Sequence, residues 1–158
     1  MMEAEKKIEF TRRITGSNRS SLVVVMFEMF FTYIEDAKIC RAKDEHEQFK
    51  ENVNAADQVL SRLEDTLDFK YELSANLYRL YRFSRDKLSA AKVHYRVDEL
   101  DTSCEIITPI YEAFKEVAKT DTSKPMMENA EQVYAGMTYG KSDINESYVG
   151  SSGRGYLA

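Results

Sequence analysis

Residues 17 to 108 contain neither glycine nor proline, and this long stretch without helix breakers constrains the fold more than any other feature. No part of it shows the sustained alternation of apolar and polar residues that is typical of a β-strand. Apolar residues recur instead at steps of three and four, which is the spacing of one face of an α-helix. The sequence therefore predicts an all-α protein.

Four helical patterns fill this stretch and its continuation to about residue 118. They are predicted over Asn18 to Ala42, Asp44 to Leu67, Glu72 to Tyr95 and Val97 to Ala118. The first is apolar nearly all round, which indicates a buried helix, and Asn18 is placed to cap its N-terminus. The spacing of the apolar residues favours an antiparallel up-down four-helix bundle with shallow crossing angles.

Opposite charges on neighbouring helices fit this arrangement. The range 44–68 holds eight acidic and two basic residues, whereas the range 70–96 holds seven basic and two acidic ones. Two such helices, joined by a short turn, are suited to pack side by side in opposite directions. Two solvated faces with fortuitous signs are the alternative. Pro109 is expected to kink the last bundle helix near Thr108.

The remaining sequence predicts two flanking parts around the bundle. Residues 1–17 are an N-terminal segment, 18–118 the bundle, and 119–158 a tail that holds five of the six glycines. Within the tail, Met126 to Ala135 is predicted as a short extra helix that ends at Gly136. The rest is expected to be an extended segment rich in Gly and Ser.

Composition excludes several classes of protein. A length of 158 residues fits one domain, and a net charge of -5 argues against a nucleic-acid partner. The charged N-terminus lacks the apolar region of a signal peptide, and the run Leu22 to Ile34 is too short to span a membrane. We therefore expect a cytoplasmic protein without membrane insertion, in which Cys40 and Cys104 are core thiols.

The sequence contains no motif that indicates catalysis. It lacks a nucleophile elbow, a phosphate-binding loop and any metal-ligand spacing, so neither an enzyme nor a cofactor is expected. A di-iron site is excluded because neither His46 nor His94 follows a Glu at the required position three residues before it. His46 with Lys50 leaves a phosphotransfer module as one alternative, and a generic helical adaptor is the other.

More apolar and aromatic residues are present than the core stripes need. The first bundle helix has a second apolar stripe, and Tyr78, Tyr81 and Phe83 stand beside the core stripe of the third. These residues either pack beneath neighbouring helices or line a groove for an amphipathic partner segment.

The order of these features resembles the flagellin-specific export chaperones of the FliS type, over about residues 8 to 118. Three blocks carry the resemblance: Phe10-x-x-x-Ile14 with Asn18-Arg19-Ser20-Ser21-Leu22 and Val25-Met26-Phe27-Glu28; Ala55-Ala56 through Leu60, Leu63 and Thr66-Leu67-Asp68; and Glu72-Leu73-Ser74-Ala75-Asn76-Leu77 with Leu80-Tyr81 and Leu88. The third block is the most specific. The tail of about forty residues is longer than in the compact members of the family.

The resemblance implies a cytoplasmic, non-enzymatic bundle that binds the C-terminal segment of flagellin. Such a chaperone prevents premature polymerisation and aids export through the flagellar secretion apparatus, which is a second expected partner. The residues expected at the flagellin-binding groove are Phe10, Ile14, Leu22, Val25, Leu73, Asn76, Leu77, Tyr78, Leu80 and Tyr81.

Two segments are predicted to cover this groove in the free protein. The resemblance implies that Phe10 and Ile14 cap part of it, although they are equally suited to staple the start of the first bundle helix. Asn76 is a candidate for hydrogen bonding to the partner's backbone. The tail is hypothesised to fold over the bundle and guard the groove, and its residues in that role are Val133, Tyr134, Met137 and Tyr139.

Overall fold

The structure, a computed structural model, describes residues 3 to 126, and this range contains five α-helices and no strand. The helices are α1 Ala4–Thr15, α2 Arg19–Ala42, α3 His46–Asp65, α4 Glu72–His94 and α5 Asp98–Thr120. The last four confirm the four predicted helices, and with them the all-α fold class. The predicted short helix of the tail lies outside the described residues except for Met126.

The start of α2 is capped as the sequence predicts. The Asn18 side-chain oxygen accepts a hydrogen bond of 3.0 Å from the backbone N–H of Ser21. This bond satisfies one of the N–H groups that the first turn of a helix leaves without a partner.

Helix α1 is an element that the sequence reasoning missed. Its apolar residues Ile8, Phe10 and Ile14 are few and form no long stripe, so the segment carries a weak helical pattern. Charge gives the better signal. Glu5 lies in its first turn, Arg12 and Arg13 lie in its last, and this order complements the helix dipole. Within residues 3–126, α1 is the helix that lies outside the four-helix bundle.

Helices α2 to α5 form the antiparallel bundle. Helix α2 packs on α3 and α5, α4 packs on the same two helices, and α1 packs on α2 alone. Ion pairing fixes the directions, since Lys38 near the end of α2 lies 2.6 Å from Asp101 near the start of α5. A hydrogen bond shows the same for α3 and α4, since Lys92 near the end of α4 donates to Asn54 in the first half of α3.

The core is an aromatic and aliphatic layer between α2 and its neighbours. The Phe27 ring lies 5.7 Å from that of Phe114 and 6.4 Å from that of Tyr81, between centroids. The large apolar side chains with at most 1% exposure are Phe27, Phe30, Ile34, Phe49, Val53, Leu60, Leu63, Tyr81, Leu88, Leu100 and Ile107. Each large apolar side chain stabilises the fold by roughly 1.5–3 kcal/mol when it is fully buried. The apolar stripes predicted for the four bundle helices therefore face one another in the core.

An arginine clasp joins the acidic helix α3 to the basic helix α4. Arg85 donates to Asp57 over 2.7 Å and to Glu64 over 2.9 Å, and Glu64 is only 11% exposed. Its other carboxylate oxygen, Oε1, is buried with no hydrogen bond among the described residues. The opposite charges of the two helices therefore meet across their interface, as the antiparallel prediction requires.

Helix α5 runs through Pro109 to Thr120 as one element. Proline cannot donate to the carbonyl of Glu105, one turn earlier. Beside it, the Thr108 hydroxyl donates to the Cys104 carbonyl over 2.7 Å. The missing backbone bond therefore does not end the helix.

We predict that Arg85→Ala lowers the free energy of unfolding by about 2 kcal/mol, because it deprives the poorly solvated Glu64 carboxylate of its close, hydrogen-bonded partner. Urea unfolding of the full chain measures this change. Arg82→Ala is the matched control, since Arg82 lies 4.0 Å from the same carboxylate but is largely exposed, and it should cost less than about 0.5 kcal/mol. Equal costs for the two variants would contradict a specific clasp.

Candidate partner-binding surface

Several exposed apolar side chains gather toward one end of the bundle. In an up-down bundle α2 and α4 begin, and α3 and α5 end, at the same end, which we name the exit end. The exposed large apolar residues at or near it are Phe69, Tyr71, Leu73, Tyr78, Leu80, Phe83, Val117 and Met126. Contiguous apolar surface of this kind marks an interaction site more often than a chance exposure.

The first three turns of α4 carry the clearest stripe. Leu73, Asn76, Leu80 and Phe83 follow one another at steps of three, four and three, so they share one face of the helix. Leu73 is 65% exposed, Leu80 41% and Phe83 51%. We name these four residues the α4 stripe. The next residue on this face, Lys87, lies 3.5 Å from Glu99, so the stripe runs along the border with α5.

The turn between α3 and α4 adds aromatic surface next to the stripe. The ring of Phe69 meets that of Tyr78 edge to face, with centroids 5.7 Å apart. The ammonium of Lys70 lies 5.8 Å from the centroid of the exposed Tyr71 ring. This surface therefore offers rings and a positive charge together.

Helix α1 is held to the bundle by few contacts. Arg13 forms an ion pair with Glu28 of α2, and Glu28 also accepts a 3.1 Å hydrogen bond from the hydroxyl of Tyr111 on α5. Partial burial raises the pKa of Tyr111, with Glu28 adding to the effect, so this hydroxyl stays protonated and donating. One polar junction thus joins α1 to α2 directly, and Glu28 links it in turn to Tyr111 of α5.

Two clefts lie along α1. One has a volume of about 360 Å³ and is lined by Gly16, Ser17, Val24, Val25 and Ala118, among others. The other, of about 450 Å³, lies beside Phe10 and reaches Glu28 and Thr32. Helix α1 therefore covers apolar surface of α2 without filling the space beneath it.

The segment that follows α5 is fastened to the start of α2. Asp121 accepts a 2.6 Å hydrogen bond from the Ser20 hydroxyl, and the Asn18 amide donates to the carbonyls of Asp121 and Ser123. The N–H of Met126 donates to the Ser17 carbonyl over 3.0 Å. We name these contacts the exit clip.

A scan against protein-family models matches residues 1–121 to the family described as Flagellar protein FliS. The chain belongs to the FliS family. The matched range contains all five described helices, and residues 122–158 lie beyond it. A search of curated proteins finds no match. Membership assigns the role of a flagellar export chaperone built on a helical bundle, as the resemblance implied.

The ten predicted groove residues fall into three groups by their solvent exposure. Leu73, Asn76, Tyr78 and Leu80 are exposed; Phe10, Ile14, Leu22 and Leu77 are half-buried; Val25 and Tyr81 are core residues, 2% and 1% exposed. Val25 borders the cleft beneath α1, so it becomes accessible only when α1 moves away. Tyr81 packs against Phe27 in the core, and burial raises its pKa.

The ten predicted groove residues did not include Phe69, Tyr71 or Val117, which are exposed at the same end of the bundle. Phe83, which the sequence offered only as a possible groove residue, continues the 73–76–80 spacing on the same helical face. Phe69 and Tyr71 lie in a turn, where helical spacing gives no signal. Val117 joins the surface only through the pairing of α4 with α5.

The structure also places the two cysteines and His46, which are the candidates for reactive chemistry. Cys40 and Cys104 are free thiols, and burial raises the pKa of Cys104 to about 11, which makes it a poor nucleophile. The His46 ring stacks on Tyr95 with centroids 4.0 Å apart. In residues 3–126 no group of three or more His, Cys, Asp or Glu side chains is placed to hold a metal ion. No helix in that range is long and apolar enough to cross a membrane.

We predict that Asp121→Asn weakens the exit clip in a pH-dependent way. Hydrogen bonds from Ser123 and Ser20 lower the pKa of Asp121 from 3.8 to about 2, so the charged carboxylate stabilises the folded state above pH 4. The stability advantage of the wild type over the variant should shrink as pH falls from about 4 toward 2. The midpoint of urea unfolding, measured across this range, tests it.

Asp65→Asn serves as the control for this measurement. Asp65 is an exposed carboxylate at the end of α3 that makes no hydrogen bond or ion pair with a described residue. If the stability advantage of the wild type over Asp121→Asn stays constant with pH, the result counts against the clip. The same holds if the wild type loses an identical advantage over Asp65→Asn as the pH falls.

Proposed function

We propose that this FliS chain is a cytoplasmic chaperone that binds the C-terminal segment of flagellin, prevents its premature polymerisation and aids its delivery to the flagellar export apparatus. The observation that carries the proposal is the exposed α4 stripe in a chain of the FliS family. A soluble protein rarely leaves such a stripe open without a partner.

A flagellin segment suits this surface because the surface is apolar, elongated and edged with positive charge. An amphipathic helix places its apolar anchors one or two turns apart, and Leu73, Leu80 and Phe83, at steps of seven and three residues, offer contacts at that spacing. Asn76 stands exposed among them and supplies an amide for the backbone of the client. A client that orders on binding loses chain entropy, which a long wrapped contact offsets.

The weak attachment of α1 supports the proposal that the groove has a second part, which lies beneath this helix. Helix α1 contacts α2 alone, and the apolar wall of the cleft beneath it is formed by Val24, Val25 and Ala118. We propose that the client displaces α1 and then occupies this wall, with Phe10 and Ile14 acting as the cap in the free state. Leu22 and Val25 become contact residues only in that bound state.

We predict that Leu80→Ser weakens binding of a flagellin C-terminal peptide about tenfold, since the loss of one partly exposed Leu contact costs about 1–2 kcal/mol. Calorimetric titration of the full chain with a peptide of about the last forty residues of flagellin measures the change, and a negative heat-capacity change should accompany binding. Val93→Ser is the control, because Val93 is exposed on the same helix but outside the stripe. Equal affinities for the two variants would remove the stripe from the binding site.

We also predict that Phe10→Ala raises the affinity for the same peptide several-fold. Removal of the ring weakens the contact of α1 with the bundle, so displacement of the cap reduces the client's binding free energy by less. Ile8→Ala is the matched control, since Ile8 is 58% exposed on the same helix. An unchanged affinity in a Phe10→Ala variant with an unchanged circular dichroism spectrum would leave only the staple role for Phe10.

A further inference from the structure

The exit clip determines where the C-terminal tail leaves the bundle. Asp121 accepts a hydrogen bond from Ser20 and Met126 donates one to Ser17, so the described chain ends at Met126 beside the start of α2. This is the exit end, at which α4 also begins. The tail therefore starts at the end of the molecule that carries most of the exposed apolar surface.

The first part of the tail is long enough to reach the α4 stripe. Thirteen residues, 127–139, span at most about 40 Å when extended. The stripe from Leu73 to Phe83 is about 15 Å long at the rise of an α-helix. A segment of this length can cross the end of the bundle and still lie along the whole stripe.

The two surfaces are complementary in charge. Residues 127–139 include Glu128 and Glu131 and no Lys or Arg. The exposed Arg79 stands beside the stripe, one helical turn from both Asn76 and Phe83, and has no ion pair within residues 3–126. Acidic side chains of the segment would meet this guanidinium group at the edge of the stripe.

The two surfaces are complementary in hydrophobicity as well. The segment contains Val133, Tyr134, Met137 and Tyr139. A tether of a few residues gives such a segment an effective concentration in the millimolar range, so even a weak contact is formed within one molecule. The chain's own tail is therefore favoured over a second copy as the occupant of the free protein.

We propose that residues 127–139 dock on the α4 stripe of the same molecule and compete with the client for it. The competition, though not the docking, rests on the proposed function. The tail acts as an intramolecular substitute for the client, and the apparent affinity for flagellin is reduced by the fraction of molecules in which the stripe is occupied. A chain of this family thereby carries its own regulator beyond the matched range.

Hydrogen exchange of the full chain tests the docking. The variant Val133→Ser/Tyr134→Ser should exchange faster than the wild type in the α4 range 73–83. The control Tyr148→Ser/Val149→Ser removes the same two residue types farther along the tail and should exchange as the wild type does. Equal exchange in all three proteins would overturn the proposal, and so would protection that rises with protein concentration, because that result indicates a second copy as the occupant.

Titration with the flagellin peptide tests the competition separately. Val133→Ser/Tyr134→Ser should bind the peptide at least threefold more tightly than the control variant. Faster exchange with an unchanged affinity would overturn competition for a shared stripe. If none of the three proteins binds the peptide, the proposed function fails, while the exchange result still decides whether the tail docks.

Discussion

The structure depends on the burial of α2, a helix with apolar side chains on almost every face. Phe27, Phe30 and Ile34 are fully buried, and no single neighbour could cover them together with Val25 on another side. Helices α3 and α5 cover two sides, while α1 lies over part of the third. The bundle therefore follows from one hydrophobic constraint, and the least well-covered side of α2 is where a partner has room to act.

The contacts divide into a firm part and a weakly held part. The α3–α4 interface has a charged clasp centred on Arg85, and buried Ser84 and Ser103 hydrogen bond to each other between α4 and α5. Helix α1 has one ion pair to the bundle and partly empty clefts. Segments with few buried apolar contacts open at low free energy, which supports the proposed departure of α1 from a bundle that stays folded. A chaperone that exchanges its own segment for a client needs this difference.

The sequence was sufficient to predict the four bundle helices because their apolar residues keep a strict helical period. It was insufficient at the two turns at the other end of the bundle, where non-glycine residues Asp44 and Tyr95 adopt left-handed backbone angles, with φ of 58° and 55°. Tyr95 is held there by tertiary contacts, with Arg41 stacked on its ring and bonded to its carbonyl. Periodicity likewise could not separate groove from core, since Tyr81 directly follows the exposed Leu80 yet is buried.

Most contacts of the exit clip are made by the start of α2, at Asn18 and Ser20, while Ser17, which accepts from Met126, lies in the link from α1. The Asn18 side chain caps α2 through Ser21 and at the same time donates to the Asp121 and Ser123 carbonyls. Loss of α1 from its place removes neither the cap nor these donors, because both belong to the start of the bundle. In the proposed mechanism the tail therefore stays anchored at the exit end after α1 has left, so a client would have to displace α1 and the tail as two separate competitors.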